Sequence, residues 1–198
     1  MYIISVSGKS GSGKSKFSRD LAISFANDAI YIDMDEIEHK SMEQKTVIQQ
    51  AIQIWGTGIL NEDGTLNRKG LGKIVFSSKE EMEKLIDISY PTIKKLFFEI
   101  IEKSNKKIAV VDWAMIPKAP EIFSICNLKV LIKANIEIRK KRVLLRDHIS
   151  EEYFTFREEA SIIYDEDDFD IVILNEEVDN DLAEKIELVH HIVFDLKI

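Results

Sequence analysis

Tyr2-Ile3-Ile4-Ser5-Val6, then Gly8-Lys9-Ser10-Gly11-Ser12-Gly13-Lys14-Ser15, join a short apolar run to a loop of the form G-x-x-x-x-G-K-[ST], and this junction decides the fold. Successive backbone N–H groups can curl around a di- or triphosphate only where glycine removes the Cβ clash. Lys14 is then placed to reach the β- and γ-phosphates and Ser15 to hold Mg²⁺. The flanks agree with the motif: residues 2–6 are short, apolar and β-rich, and Phe17, Leu21, Ile23 and Phe25 give residues 14–26 a helical, if imperfect, apolar stripe. Gly8, Lys9, Ser10, Gly11, Ser12, Gly13, Lys14 and Ser15 are therefore candidate nucleotide ligands, with Lys9 the member whose side chain reads by default as solvated. The competing reading is a plain Gly/Ser turn between two core elements.

A chain of 198 residues, 45% of them apolar, suits one α/β domain with a sizeable core. Lys and Arg number 27 against 35 Asp and Glu, a net charge of −8, so no broad basic surface is available for nucleic acid. The single cysteine, Cys126, excludes an intramolecular disulfide and reads as a small buried hydrophobe. The four histidines lack metal-site spacing. With neither a signal-peptide pattern nor an apolar span near 20 residues, the expected compartment is the cytoplasm and no membrane partner is expected.

Further along, Ala29-Ile30-Tyr31-Ile32-Asp33 reads as a second strand, parallel and covered on both faces. Residues 41–55 read as one helix, and residues 67–103 as three short helices, the third opened by Pro91. Strands return at Ile108-Ala109-Val110-Val111-Asp112, Leu128-Lys129-Val130-Leu131-Ile132 and Ile171-Val172-Ile173-Leu174, with helices at 136–146, 151–163 and 181–191. Five parallel strands joined by crossovers predict a doubly wound α/β sheet of the P-loop kinase kind with a helical insertion, its ligand site at the carboxyl ends of the strands. The expected organisation is a single domain, 1–198: a core of about 1–40 and 104–198, an insertion of about 41–103 over the strand ends, and a lid of about 139–163. The acidic run Asp165-Glu166-Asp167-Asp168 reads as a solvated loop rather than a metal cage.

Phosphoryl transfer needs a phosphate cradle, a metal, an acceptor hydroxyl held in line and cations that neutralise developing charge. Asp33 and Asp35, at the end of the second strand, are placed for such work: one accepts the acceptor's proton or orders Mg²⁺ through water, and either can instead cap the next helix. Asp112 closes the third strand as a Walker-B-type Mg²⁺ ligand would, or as a simple loop or cap aspartate. Arg139, Lys140, Lys141, Arg142 and Arg146 concentrate charge on one helix. Arg142 and Arg146, four apart, share a face and either close over ATP as a lid or form a solvated basic face paired with Glu137 and Asp147.

From Met1 to about His191 the chain resembles the dephospho-coenzyme A kinases. The resemblance is carried by Trp55-Gly56, by Ile59-Leu60-Asn61-Glu62-Asp63-Gly64-Thr65-Leu66-Asn67-Arg68 with its D-G-x-L-[DN]-R form, and by Leu71, Ile74-Val75-Phe76 and Tyr90-Pro91. Arg142-x-x-x-Arg146-Asp147, Asn175 and the D-x-D pair Asp33 and Asp35 extend it. The resemblance implies Mg²⁺- and ATP-dependent phosphorylation of the 3′-hydroxyl of dephospho-coenzyme A. It makes Asp35 the base, assisted by Asp33, Lys14 and Arg142, puts Arg142 and Arg146 on ATP, and places Asp33, Asp35, Arg68 and Tyr90 at the substrate. Tyr90 stands where the family usually has histidine. Asp112-Trp113-Ala114-Met115-Ile116-Pro117 replaces its P-L-L-x-E segment, and Ala160-Ser161-Ile162-Ile163-Tyr164 replaces its glutamine and basic residues after the lid. A kinase of a nucleoside or other small alcohol, and a nucleotide-binding module without turnover, stay open as alternatives. The expected state is a monomer or small homo-oligomer.

Overall fold

The computed structural model describes residues 1–75, 78–176 and 180–195. Strands β1 (Tyr2–Ser7), β2 (Ala29–Asp33), β3 (Ile108–Asp112), β4 (Leu128–Lys133) and β5 (Ile171–Leu174) form one five-stranded, all-parallel sheet in the order β2-β3-β1-β4-β5. The central strand β1 and its neighbour β3 are buried almost throughout, being covered on both faces. β2 departs from expectation. It is parallel but an edge strand, and only Ile32 of its five residues is buried, because uniform apolarity does not say whether a second neighbour is present.

Helix α1 (Lys14–Ser24) leaves the loop after β1 and buries Phe17 and Leu21 completely. It shares a core with β1, β3, β4 and the last helix, α9 (Asn180–Asp195), through Ile4, Val6, Val110, Val130, Ile186 and Val189. Each such large apolar side chain contributes roughly 1.5–3 kcal/mol on burial, so this packing fixes the end of β1 from which the loop departs. No described helix is long and apolar enough to cross a membrane.

The chain divides into two compact units, Met1–Asp33 with Ser104–Ile198, and Met34–Lys103. The second holds α2 (Met34–Ser41), α3 (Lys45–Trp55), α4 (Arg68–Val75) and α5 (Lys79–Lys103). The helix expected over 41–55 begins at Lys45, and a further helix that the sequence reading lacked, α2, starts directly after β2 and carries Asp35 and Glu36 in its first turn, where the helix dipole favours them. Pro91 lies inside the 25-residue α5 instead of opening a third short helix. An internal proline costs about 3 kcal/mol. The apolar stripe nonetheless stays in phase across it, with Met82, Leu85 and Ile88 packed before it and Ile93 and Phe97 buried after it, against α2, α3 and α4. Asp63-Gly64-Thr65 makes a tight turn: Gly64 has φ +79°, Asp63 accepts from the Thr65 N–H at 2.9 Å, and Asn67 then caps α4 by accepting from the Gly70 N–H. Phe76, part of the family-like segment, lies outside the described residues.

In the first unit, a short α6 (Pro120–Phe123) precedes β4, and α7 (Ile136–Asp147) and α8 (Glu151–Glu159) follow it. α7 is capped by Asn135, whose side chain accepts from the Glu137 N–H. α8 stops four residues short of the expected 163, its last turn tied by Ser161 Oγ donating to the Glu158 carbonyl.

Candidate functional site

β1 delivers the loop at the centre of the sheet, where the connections to β2 and β5 leave toward opposite edges, the position at which open α/β sheets bind ligands. Gly13 (φ +94°) caps α1 with no side-chain hydrogen bond, so the first-turn amides of the helix face an open end suited to an anion. Gly11 and Gly13 are required by contact as well as by φ. A Cβ on Gly11 (φ +80°) would stand 2.6 Å from the Arg139 carbonyl, and one on Gly13 would stand 2.2 Å from Asn175 Nδ2. The loop therefore approaches two distant segments more closely than any side chain allows. Ser15 lies in the first turn of α1.

Parallel register sets Asp33 beside Asp112, and Val6 on the other side of Asp112. Asp112, 2% exposed, accepts from Lys14 Nζ at 2.8 Å and from the Tyr31 hydroxyl at 3.0 Å. A simple loop or cap aspartate does not describe Asp112: its buried carboxylate is matched by a lysine and a phenol donor. The same phenol lies 3.3 Å from Asp33 Oδ2, and Arg19 reaches Asp33 at 3.8 Å. Burial, and after it the neighbouring Asp112 and Asp33, push the Tyr31 phenol above its ordinary range, so it remains a donor at neutral pH. Tyr31 was not singled out in the sequence, although its place two residues before Asp33 on a strand puts both on one face.

From α7, Arg142 donates to the carbonyls of Gly11 at 3.3 Å and Asn175 at 3.2 Å. Arg146 bonds Asp147 at 2.6 Å, the pairing the solvated-face reading expects, and reaches Ser10 Oγ of the loop at 3.4 Å. The Arg146 contact holds the Asp147 carboxyl below its usual range. Arg139 differs from its neighbours: it is 5% exposed and forms a two-bond pair with Glu158 of α8 at 2.7 and 2.8 Å. Lys9, only partly exposed, pairs with the same Glu158 at 2.7 Å. Asn175, just after β5, donates to the Ser12 carbonyl at 2.7 Å and is buried. Glu158 carried no local signal, since its partners are 19 and 149 residues away.

The remaining candidates belong to the second unit. Asp35 is exposed in the first turn of α2. Arg68 donates to the His39 carbonyl at 3.0 Å and pairs with Glu43 at 3.1 Å, beside a cavity of about 340 Å³ lined also by Met42, Ile48 and Leu66. Tyr90 has Lys94 over its ring at 6.0 Å. Elsewhere, burial pushes the Cys126 thiol up to about 11, which leaves it unreactive. Among the described residues no group of three or more His, Cys, Asp or Glu could hold a metal, and within the acidic run Asp165 caps a short turn while Glu166 pairs with Lys133.

Comparison with known proteins bears on this geometry. The sequence profile of a family described as dephospho-CoA kinase matches residues 2–181. A dephospho-CoA kinase from Fusobacterium nucleatum is 30% identical over 189 residues, which span 94% of this chain and 96% of that one. Another from Clostridium tetani is 34% identical over 168 residues, 82% and 72% of the two chains. Among solved structures, a protein from Thermus thermophilus superposes with a TM-score of 0.79 at 24% identity over 95% of both chains. A dephospho-CoA kinase from Campylobacter jejuni gives 0.66 at 22% identity over 99% and 98%. A shikimate kinase from Bacteroides thetaiotaomicron, 12% identical with a TM-score of 0.54 over 97% and 98%, shares the fold.

Proposed function

The chain belongs to the dephospho-CoA kinase family, and from that premise we propose that it transfers the γ-phosphoryl group of ATP to the 3′-hydroxyl of dephospho-coenzyme A, in the cytoplasm, as a monomer or small homo-oligomer. The observation that carries this reading is the cradle itself. Left-handed glycines at 11 and 13, a helix N-terminus with no side-chain cap, Lys14, and Arg142 and Arg146 of α7 reaching the loop suit a polyphosphate.

In this reading Lys14 exchanges the Asp112 carboxylate for the β- and γ-phosphates, and Arg142 and Arg146 meet charge that spreads onto the transferred group. The hard oxygen donors Ser15 and Asp112 suit magnesium; when bound, it neutralises the phosphate charge and orients the γ-phosphoryl group. Asp112 can serve because its Lys14 partner is the group that phosphate displaces. Asp35 accepts the proton of the acceptor hydroxyl, Asp33 steadies the acceptor with it, and Arg68 and Tyr90 of the insertion, about 41–103, bind the rest of the acceptor. Residues of about 139–163 act as the lid within a single kinase domain.

ADP release by the purified protein with Mg²⁺-ATP tests this, comparing dephospho-coenzyme A with a panel of nucleosides and with no acceptor. Stimulation by dephospho-coenzyme A alone is expected. Stimulation by a nucleoside would move the assignment to another small-alcohol kinase, and ADP release that no acceptor stimulates would mean a nucleotide-binding module.

A further inference from the structure

Lys14 and Lys9 of the phosphate loop are each held by an internal carboxylate. Lys14 takes Asp112 of β3, from the same sheet, whereas Lys9 takes Glu158, from a helix 149 residues away. Both oxygens of the Glu158 carboxylate are engaged. Oε1 accepts from Lys9 Nζ at 2.7 Å and from Arg139 Nη2 at 2.8 Å, and Oε2 accepts from Arg139 Nη1 at 2.7 Å. Arg139 is itself locked to the loop: its Nη1 also reaches the Ser10 carbonyl at 3.4 Å, its Nε donates to the Ala134 carbonyl, and its backbone fills the space that a side chain on Gly11 would need. These contacts hold the Glu158 carboxyl below its usual range, first through Arg139 and then through Lys9. One acidic side chain on α8 thereby ties three things together: the first half of the loop, the start of α7 and the end of α8. It also walls, with Lys9, Ser10, Phe154 and Tyr164, a cavity of about 180 Å³ beside the loop.

We propose that Glu158 is a positioning residue for nucleotide binding, fixing Lys9 and Arg139 against Ser10 and Gly11 so that the loop meets a polyphosphate already shaped. The inference rests on the reading of the loop as an ATP site, but not on the identity of the acceptor. Its physical basis is pre-organisation: a loop ordered before the ligand arrives spares the ligand the entropy of ordering it. Charge alone predicts the opposite, because a carboxylate beside the loop opposes a polyanion and its removal should tighten binding.

The test is calorimetric titration with ATP of the wild-type chain, Glu158→Gln, Lys9→Met and the double variant, below the melting temperature of each. Glu158→Gln should weaken ATP binding about tenfold and Lys9→Met about threefold, and the double variant should bind no more weakly than Glu158→Gln alone, because both act through one contact. Glu158→Gln strands the buried Arg139 guanidinium, which is costly. Arg139→Gln combined with Glu158→Gln removes both charges and should also bind ATP more weakly than wild type. Unchanged or tighter ATP binding with only a lower Tm overturns the proposal, as do strictly additive effects of the two single changes. With dephospho-coenzyme A as acceptor, KM for ATP should rise in Glu158→Gln while kcat at saturation stays within about twofold. A wild-type chain that binds ATP with these differences but does not phosphorylate dephospho-coenzyme A would overturn the acceptor assignment and leave the role of Glu158 standing; one that does not bind ATP overturns both.

Discussion

The phosphate loop, 8–15, and the unit Met34–Lys103 differ in how their candidate residues use their neighbours. Around the loop the candidates meet one another. Lys14 pairs with Asp112, Arg142 with the Gly11 carbonyl, and Arg146 reaches Ser10. In the second unit Arg68 pairs with Glu43, Tyr90 has Lys94 over its ring, and Asp35 stands exposed on α2. A site whose members converge is specified by its own geometry, and its chemistry follows from the contacts. Members that rest on separate local contacts acquire a role only through a ligand, which is why the acceptor half of the reaction depends on family membership and the nucleotide half does not.

The comparison breaks most decisively at Lys14. Lys14→Ala should lower kcat/KM on the order of 10³-fold in steady-state assays, since the charge on the β- and γ-phosphates is lost; an unchanged rate would remove the loop from the reaction. Next is Asp35→Asn. As the proposed base it should cost about 10²-fold in kcat with ATP affinity preserved, and equal loss of both would give Asp35 a structural role. Arg68→Ala sharpens the contrast further, raising KM for the acceptor about tenfold while KM for ATP stays constant; a rise confined to ATP would remove Arg68 from acceptor binding.

The smallest effect is on acid stability. Because the folded-state pKa of Glu158 is depressed, its contribution is complete above the ordinary carboxylate value, about 4.3, and is lost as pH falls through the lower folded value. Wild type should therefore exceed Glu158→Gln in Tm at neutral pH, and the two melting curves should converge as pH falls below the ordinary carboxylate value and through the lower folded one. A gap that does not narrow as the pH falls through that range would assign the difference to packing rather than to the ionised carboxylate.

The five strands, the loop and α1 were legible because each is local. A run of apolar residues with β-branched members, and a glycine spacing that only one backbone path satisfies, need no distant partner to be recognised. β2 as an edge strand was not, because apolarity records that a strand packs and not on how many sides. Nor was the continuity of α5 through Pro91, where the local penalty was outweighed by an apolar stripe that kept its phase on both sides.

By itself the sequence determined a parallel α/β sheet with a phosphate loop after its first strand, and through its longer motifs a family. Only the tertiary structure decided the strand order, the pairing of Lys14 with Asp112, the place of Tyr31 beside two carboxylates, and the joining of Lys9 and Arg139 by Glu158. The physical reason is range. Backbone conformation answers to neighbours a few residues away, whereas a buried charge must find its counter-ion wherever the fold brings one, and residues 98 and 149 positions apart carry no mark of that meeting until the chain has folded.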